Sequence, residues 1–517
     1  MNGSAADCIP LLGRLLSAAN ARPEATALIQ DGRRWSYCQL WQEAQRVARA
    51  LRAQGIQPGA RVALILRNCL EYPAIFYGVH AAGGVVAALT TAGRAEELLN
   101  WVQHCGASWL FLGSDHPDAA ALVRDLPEST RVVLVGSPPG AALSGARYEE
   151  LDDANAPPAI DAAAIEPDAP ALILYTSGTT GRPKGVTLSH RNLSANTSSI
   201  LEYLRLGPDD STVTVLPFHY SYGNSVLHTH LVAGACVTIE RNLTYPHRFI
   251  ELLASSRATG LAGVPSTFAL LVSRVRLPDY DLSHLRYVTQ AGGPMAPALQ
   301  TRLTQALPHA QLFIMYGQTE ATARLTYLPP ERRQQKPGSV GIPLNGVELV
   351  VRREDGTEAT PGQSGAIWAR GANVMLGYWD DPEATARGLV NGWLHTGDTG
   401  HFDDEGYLYI DGRRSDIIKT GAHRVQPEDV EAAIAELDAV EEVAVVGCDD
   451  EILGEVIKAV VVRRHGVALD AMRIQAHCRE RLAAYKIPKI VQFAACLPRT
   501  QSGKLQRHLI NIQEEPA

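Results

Sequence analysis

The residues Tyr175-Thr176-Ser177-Gly178-Thr179-Thr180-Gly181-Arg182-Pro183-Lys184-Gly185 run hydroxyls and glycines into a lysine, directly behind the apolar stretch Ala171 to Leu174. Backbone N–H groups, side-chain hydroxyls and one cation in a single loop can cradle a polyphosphate, as phosphate-binding nests do. The tract is not a Walker A loop, which needs Gly-Lys followed by Ser or Thr at a helix start; here Pro183 precedes Lys184 and Gly185 follows it. A Ser/Thr/Gly surface turn has the same composition. The nucleotide reading therefore rests on partners elsewhere in the chain.

Five segments are candidates. Tyr316-Gly317-Gln318-Thr319-Glu320 follows the strand-like run Leu312 to Met315, at the end of a strand where open α/β sheets place ligands. There a tyrosine can stack on adenine, a threonine can bond a phosphate oxygen and a glutamate can hold Mg²⁺. Ala291-Gly292-Gly293-Pro294 lets backbone approach a flat ring closely. His395-Thr396-Gly397-Asp398 puts a carboxylate behind a glycine turn, where it can accept two ribose hydroxyls. Asp411 to Lys419 contains Gly412, the pair Arg413-Arg414 and an apolar Ile417-Ile418, and Pro498 to Lys504 sets a lysine on a glycine-containing turn. Each segment alone reads equally well as an ordinary turn or a solvated surface.

Stepping outward to the elements, short β-branched runs such as Val62 to Leu66, Arg131 to Val135 and Thr212 to Leu216 alternate with helical patterns such as Trp41 to Leu51 and Asp429 to Leu437. That rhythm predicts an α/β architecture with buried sheets. From Val347 to Tyr409 the pattern changes to strands broken by the turn signals Glu354-Asp355-Gly356 and Asp403-Asp404-Glu405-Gly406, which predicts a β-rich subdomain. Beyond Gly412 an α+β unit follows: a helix opening at Pro427, strands at Val443 to Val446 and Val456 to Val462, a helix over Met472 to Leu482 and a strand at Ile490 to Ala494. With 517 residues the chain exceeds one core.

The net charge of −8 leaves no basic surplus for a nucleic acid. Eight scattered cysteines show no C-x-x-C spacing, and no run of about 18 apolar residues spans a membrane. With no basic, apolar leader, these features predict a cytoplasmic protein without a membrane anchor.

In their order and separations the motifs resemble the adenylate-forming superfamily of acyl-CoA synthetases, peptide-synthetase adenylation domains and beetle luciferase, from about residue 25 to residue 507. The resemblance implies a large N-terminal domain of two doubly wound α/β subdomains plus a β-rich subdomain over residues 1–410, a hinge at 411–416, and a small mobile α+β lid over 417–517. It implies that a carboxylate and MgATP give an acyl adenylate and pyrophosphate, after which a thiol takes the acyl group. Thr176, Ser177, Gly178, Thr179, Thr180 and Lys184 would then cradle the phosphates. Gly292, Gly293, Pro294, Tyr316 and Gly317 would frame adenine; Thr319 would meet the α-phosphate, Glu320 the Mg²⁺, and Asp398 and Arg413 the ribose. Lys504 would reach in from the lid to bridge carboxylate and α-phosphate, with Ser415 as the pivot.

By the same resemblance, Pro217 to Asn224 lines the acyl pocket through His219, Tyr220, Tyr222 and Gly223, with Tyr220 as an aromatic gate and Val264-Pro265 as a second wall. The segment has no aspartate to pair an ammonium, so a small carboxylic acid without an α-amine is favoured. His219, His228 and His230 are spaced irregularly and read as core or wall residues, not as a metal site. Gly421, Ala422 and Arg424 fall at the pantetheine tunnel, with Ala422 where the family often has glycine. The acceptor is CoA or the phosphopantetheine of an acyl or peptidyl carrier protein. Two other readings share the adenylating half: an oxidoreductase of luciferase type, and a nucleotide-binding regulator without turnover.

Overall fold

The computed structural model describes residues 9–136, 145–151, 160–176, 184–413, 418–420, 423–425, 427–450, 454–482, 484–499 and 505–510, with the backbone alone at Arg413, Lys419, His423, Arg424, Asp449, Gly454, Ala484 and His508. Contacts divide the chain into two compact units, one of Met1–Arg332, Pro343–Glu348 and Ala369–Leu394, the other of Arg333–Ile342, Leu349–Trp368 and His395–Ala517.

The first unit is built on two sheets. In one, strands Val85–Ala88, Arg61–Ile65, Ala107–Gly113 and Arg131–Val135 are parallel neighbours, and Pro170–Thr176 joins them beside Val85–Ala88. Pro170–Thr176 then pairs antiparallel with Lys184–Ser189, with Thr176 opposite Lys184, so the loop of hydroxyls and glycines is closed at its base by its own first and last described residues. In the other sheet, Cys236–Ile239, Ser211–Thr214, Gly260–Gly263, Tyr287–Gln290 and Gln311–Tyr316 run parallel, so their carboxyl ends lie along one edge. Parallel strands covered on both faces need near-continuous apolar runs, and Arg61–Ile65 and Gln311–Tyr316 have them after their polar first residues.

Helices fill the space between. Tyr37–Ala53 opens on a Ser36 capping box and buries Tyr37, Leu40, Ala44, Val47 and Leu51, a stripe at spacings of three and four. It packs on Glu71–Ala81, whose ten residues from Tyr72 to Ala81 are all buried. Because that helix is apolar on every side it has no periodic stripe, which is why the sequence does not announce it.

The second unit holds the hairpin of Trp393–Phe402 and Leu408–Arg413, turned by Asp403 to Gly406 as predicted, with Ser339–Pro343 pairing to Leu408–Arg413. It also holds a sheet in which Val440–Asp450 and Gly454–Arg463 pair antiparallel and Ile490–Ala494 joins in parallel, packed against the helix Pro427–Ala435. The stretch from Val347 to Tyr409 is not one block, however. Ala369–Leu394 belongs to the first unit, because Gly377–Tyr378 pairs with Lys184–Ser189.

The histidines singled out for spacing are mostly core groups. The Tyr77 hydroxyl donates to His228 Nδ1 at 2.9 Å, Tyr287 donates to His230 Nε2 at 2.6 Å, and His230 Nδ1 donates to the Val226 carbonyl at 2.7 Å. His80 donates to the Ala171 carbonyl at 3.0 Å and stands edge-on to His190. Burial lowers all four, His228 to about 3 and His230 to about 4, and holds them neutral. Below the ordinary histidine value the unfolded chain takes up protons that the folded core refuses, so stability falls as pH falls from about 6.5 towards these lowered values. Each such histidine should cost about 2 kcal/mol between pH 7 and pH 5. The thermal midpoint should therefore be level above pH 7 and drop steeply below pH 6, and a level midpoint down to pH 5 in scanning calorimetry would contradict the neutral core.

Candidate active site

The loops that leave the parallel strands of the second sheet carry many of the expected site residues. Gly263, Gln290 and Ile314 stand in register across three neighbouring strands, so the segments following them emerge side by side. Gly292 faces Val264 and Gly293 faces Pro265, which brings the expected adenine loop against the expected acyl wall. Gln290 Nε2 fastens that loop by donating to the Gly293 carbonyl at 2.7 Å.

Tyr316 ends its strand half-buried, and Gly317 follows where no larger residue fits: a Cβ there would lie 2.1 Å from the Ala323 carbonyl oxygen. Gly317 lets the chain fold back on itself, and Thr319 to Ala321 forms a short 3₁₀ turn ending at Thr322, whose φ of 68° is uncommon for a β-branched residue. The turn is clamped from outside. Thr322 Oγ1 donates to the Asn373 carbonyl at 2.6 Å, Asn373 Nδ2 donates to the Ala321 and Arg324 carbonyls, and Met375 N–H donates to the Glu320 carbonyl at 2.9 Å.

The same strap continues onto the phosphate side. Leu376 N–H donates to the Thr187 carbonyl and Trp379 N–H to the Gly185 carbonyl, with Tyr378 opposite Val186. Tyr378 thus stands between two predicted residues: its hydroxyl donates to Glu320 Oε1 at 2.9 Å, and Lys184 Nζ lies 4.9 Å from its ring centroid. Burial first, and the Glu320 carboxylate second, hold the phenol well above its usual range, so it donates and does not ionise. At the base of the loop Tyr175 is a structural anchor, stacked on Trp101 at 5.2 Å and hydrogen-bonded with His104 at 2.7 Å.

The acyl segment is placed by a residue the sequence does not single out. Asn68 Nδ2 donates to the Leu216 carbonyl at 2.8 Å, and its Oδ1 accepts from Phe218 N–H at 2.9 Å. Tyr72 and Asn224 both donate to the Phe218 carbonyl. Gly223 is again a position without room for a side chain, since a Cβ would lie 2.2 Å from the Pro217 carbonyl oxygen. The result is that Ser221 Oγ and Thr319 Oγ1 meet at 3.3 Å, joining the acyl segment to the phosphate turn. Tyr220 is half-buried against His219, and Tyr222 is fixed by its hydroxyl on Thr289. His219 is 5% exposed and lowered to about 3 by burial, yet neither ring nitrogen has a hydrogen-bond partner; the Gln318 amide nitrogen is also buried without one. Buried polar atoms are ordinarily paired, and these three are not.

In the second unit Asp398, 6% exposed, is directly opposite Arg413 on the paired strands. Arg424 is opposite Lys419 in the strand pair before the helix Pro427–Ala435. Arg499 and Leu505, which flank the segment of the expected catalytic lysine, form a β-bridge, and Arg507 donates to Glu428, Glu431 and the Val445 carbonyl. Ser177, Gly178, Thr179, Thr180, Ser415, Gly421, Ala422 and Lys504 lie outside the described residues.

Among the described residues no group of three His, Cys, Asp or Glu side chains could hold a metal alone. Glu320 offers one half-buried carboxylate beside a phosphate-type loop. That donor set fits Mg²⁺, which keeps several waters and binds through one or two carboxylates plus substrate phosphates.

The chain matches the family model described as AMP-binding enzyme over residues 15–379 and that of the AMP-binding enzyme C-terminal domain over residues 429–504. It is 34% identical to the indoleacetate–CoA ligase of Aromatoleum aromaticum, covering 95% of each chain. Its fold is similar to ATP-bound MatB from Rhodopseudomonas palustris, with a TM-score of 0.88, 31% identity and 98% of each chain covered. It is also similar to the o-succinylbenzoate CoA synthetase MenE of Bacillus subtilis in complex with its acyl-adenylate intermediate, with a TM-score of 0.85, 28% identity and 98% and 99% coverage. The chain therefore belongs to the AMP-binding, adenylate-forming family of acid–thiol ligases.

Proposed function

We propose that the cluster of Lys184, Tyr378, Glu320, Thr319 and Ser221 performs the first half of this chain's reaction, the activation of a carboxylic acid as acyl adenylate, and that CoA takes the acyl group in the second. The observation that carries the reading is the position of Tyr378, which sets an ammonium and a carboxylate on either side of one neutral phenol. A carboxylate substrate is ionised at neutral pH and needs no general base, so the barrier lies in bringing two anions together. Neutralising and orienting groups should then dominate catalysis.

Lys184 and the loop beginning at Thr176 take the β- and γ-phosphates in this reading. Tyr316, Gly317 and Gly292 to Pro294 frame adenine, Thr319 faces the α-phosphate, and Asp398 and Arg413 hold the ribose. Glu320 would hold Mg²⁺, which supplies charge neutralisation to the phosphates when bound. Neutral His219 with Tyr220, Tyr222, Gly223, Val264 and Pro265 walls the acid, and the absence of a carboxylate from Pro217 to Asn224 disfavours an α-amine. Residues 417–517 act as a lid turning at 411–416 about Ser415, which carries Lys504 in for adenylation and brings Gly421, Ala422 and Arg424 to the thiol for transfer. A relative acting on indoleacetate supports a small organic acid with CoA as acceptor.

A panel of carboxylic acids, run with MgATP and either CoA or a phosphopantetheinylated carrier protein, should release pyrophosphate for some acids and form thioester with CoA. Thioester on the carrier alone would reassign the acceptor. Lys504→Ala should slow adenylation by roughly 10² to 10³ while largely sparing transfer from supplied acyl adenylate; equal loss of both halves would remove that role from Lys504. Tyr378→Phe keeps the ring beneath Lys184 and removes the donor to Glu320. Because a hydrogen bond to a charged group is worth about 1.5–3 kcal/mol, kcat/KM for ATP should fall roughly 10- to 100-fold with the thermal midpoint little changed.

A further inference from the structure

Arg324 is the largest side chain that is fully buried, at 2% exposure, and its charge is unanswered. Its Nη1 donates to the Tyr203 hydroxyl, and its guanidinium carbon lies 5.4 Å from the Tyr222 ring centroid and 6.0 Å from that of Tyr203. Its Nε is buried without a partner, and among the described residues no carboxylate stands within ion-pair distance. Guanidinium groups carry five donors in a planar fork matched to a carboxylate, and buried charges are ordinarily paired. Two aromatic faces and one hydroxyl satisfy a small part of that demand.

The position of this cation matters as much as its isolation. Tyr222, whose face it covers, directly follows Ser221, whose hydroxyl meets Thr319. The Arg324 Cα also lies 2.6 Å from where a Cβ on Gly317 would stand, so the residue borders the expected nucleotide and acyl positions together. Tyr222 is no counter-ion: its hydroxyl donates to Thr289, and burial raises it to about 12. The acids on neighbouring segments have other partners: Asp210 is taken by Arg286 at 2.9 Å and by Thr259 at 2.7 Å, Glu202 accepts from Asn345 at 3.0 Å, and Glu320 accepts from Tyr378 at 2.9 Å.

We propose that Arg324 is a specificity residue of the acyl site and that the preferred acid carries a second carboxylate, which the guanidinium fork receives while the first is adenylated. This rests on the acid-activating reading above. It explains why buried Lys336 is paired with Asp403 and Glu405 while Arg324 is left open: the counter-charge arrives with the substrate.

The test compares dicarboxylic acids, aliphatic and aromatic, each beside its mono-methyl ester, which keeps the reacting carboxylate and removes only the distal charge. For the best-fitting acid, pyrophosphate release should favour the diacid over its half-ester by roughly 10²-fold in kcat/KM, the scale for leaving one member of a buried charge pair alone. Arg324→Leu should bring that ratio close to one by loss of turnover of the diacid. Should that variant fail to fold, Arg324→Lys, which keeps the cation and loses the fork, should lower the ratio and leave it above one. A wild-type ratio near one for every pair, with half-esters and simple monoacids activated well, would overturn the inference and leave acid activation standing. A high ratio that survives in Arg324→Leu would overturn it as well. Absence of pyrophosphate release from any acid would overturn both readings together.

Discussion

Everything chemical in the first unit depends on one constraint: the strap from Ala372 to Trp379 holds the phosphate side and the Thr319–Glu320 turn at a fixed separation. Asn373 and Met375 grip the turn, Leu376 and Trp379 bond the strand that leaves the phosphate loop, and Tyr378 fills the gap between with a neutral donor. Each bond is an ordinary one. Together they fix the strand Lys184–Ser189 and the turn Thr319–Ala321, which come from different sheets, relative to each other, and the proposed charge stabilisation requires that preorganisation.

The acyl side is organised by a different logic, in which neutrality is enforced by depth. His219 is desolvated to the point of losing its proton, Tyr222 keeps its own, and Asn68 spends both ends of its amide on the backbone at Leu216 and Phe218. Beside these neutral groups Arg324 is a buried guanidinium with no carboxylate within ion-pair distance among the described residues, and in the proposed reading the substrate's second carboxylate answers it.

Much of this was legible in the residues. The tract from Thr176 to Lys184 and the Tyr316 to Glu320 segment stand out because glycine, hydroxyl and charge sit together within a few positions behind a strand-like run, whereas Pro217 to Asn224 is picked out only by the family resemblance. Strand and helix positions followed the same way, Arg131–Val135 and Ile490–Ala494 matching their apolar runs residue for residue. What stayed hidden acts over distance. Tyr378 reaches Glu320 across 58 positions and Asn68 reaches Phe218 across 150, and neither lies in a segment with any local mark. Arg324 was passed over because an arginine in a loop looks solvated until the fold closes over it. The β-rich reading from Val347 to Tyr409 failed in its middle because strand propensity says nothing about which sheet a strand of two residues will join.

Gly223 and Gly317 bear on how such a site can diversify. At both, a first side-chain carbon would collide with a carbonyl oxygen of the chain's own backbone, so neither position can be varied to reshape the cavity. In the proposed acyl site, laboratory evolution toward new acids is thereby channelled to Tyr220, Val264 and Arg324, where side chains already exist to be exchanged. A library concentrated on those three codons, with the two glycines and Asn68 held constant, would explore acid preference without repeatedly sampling collapsed scaffolds.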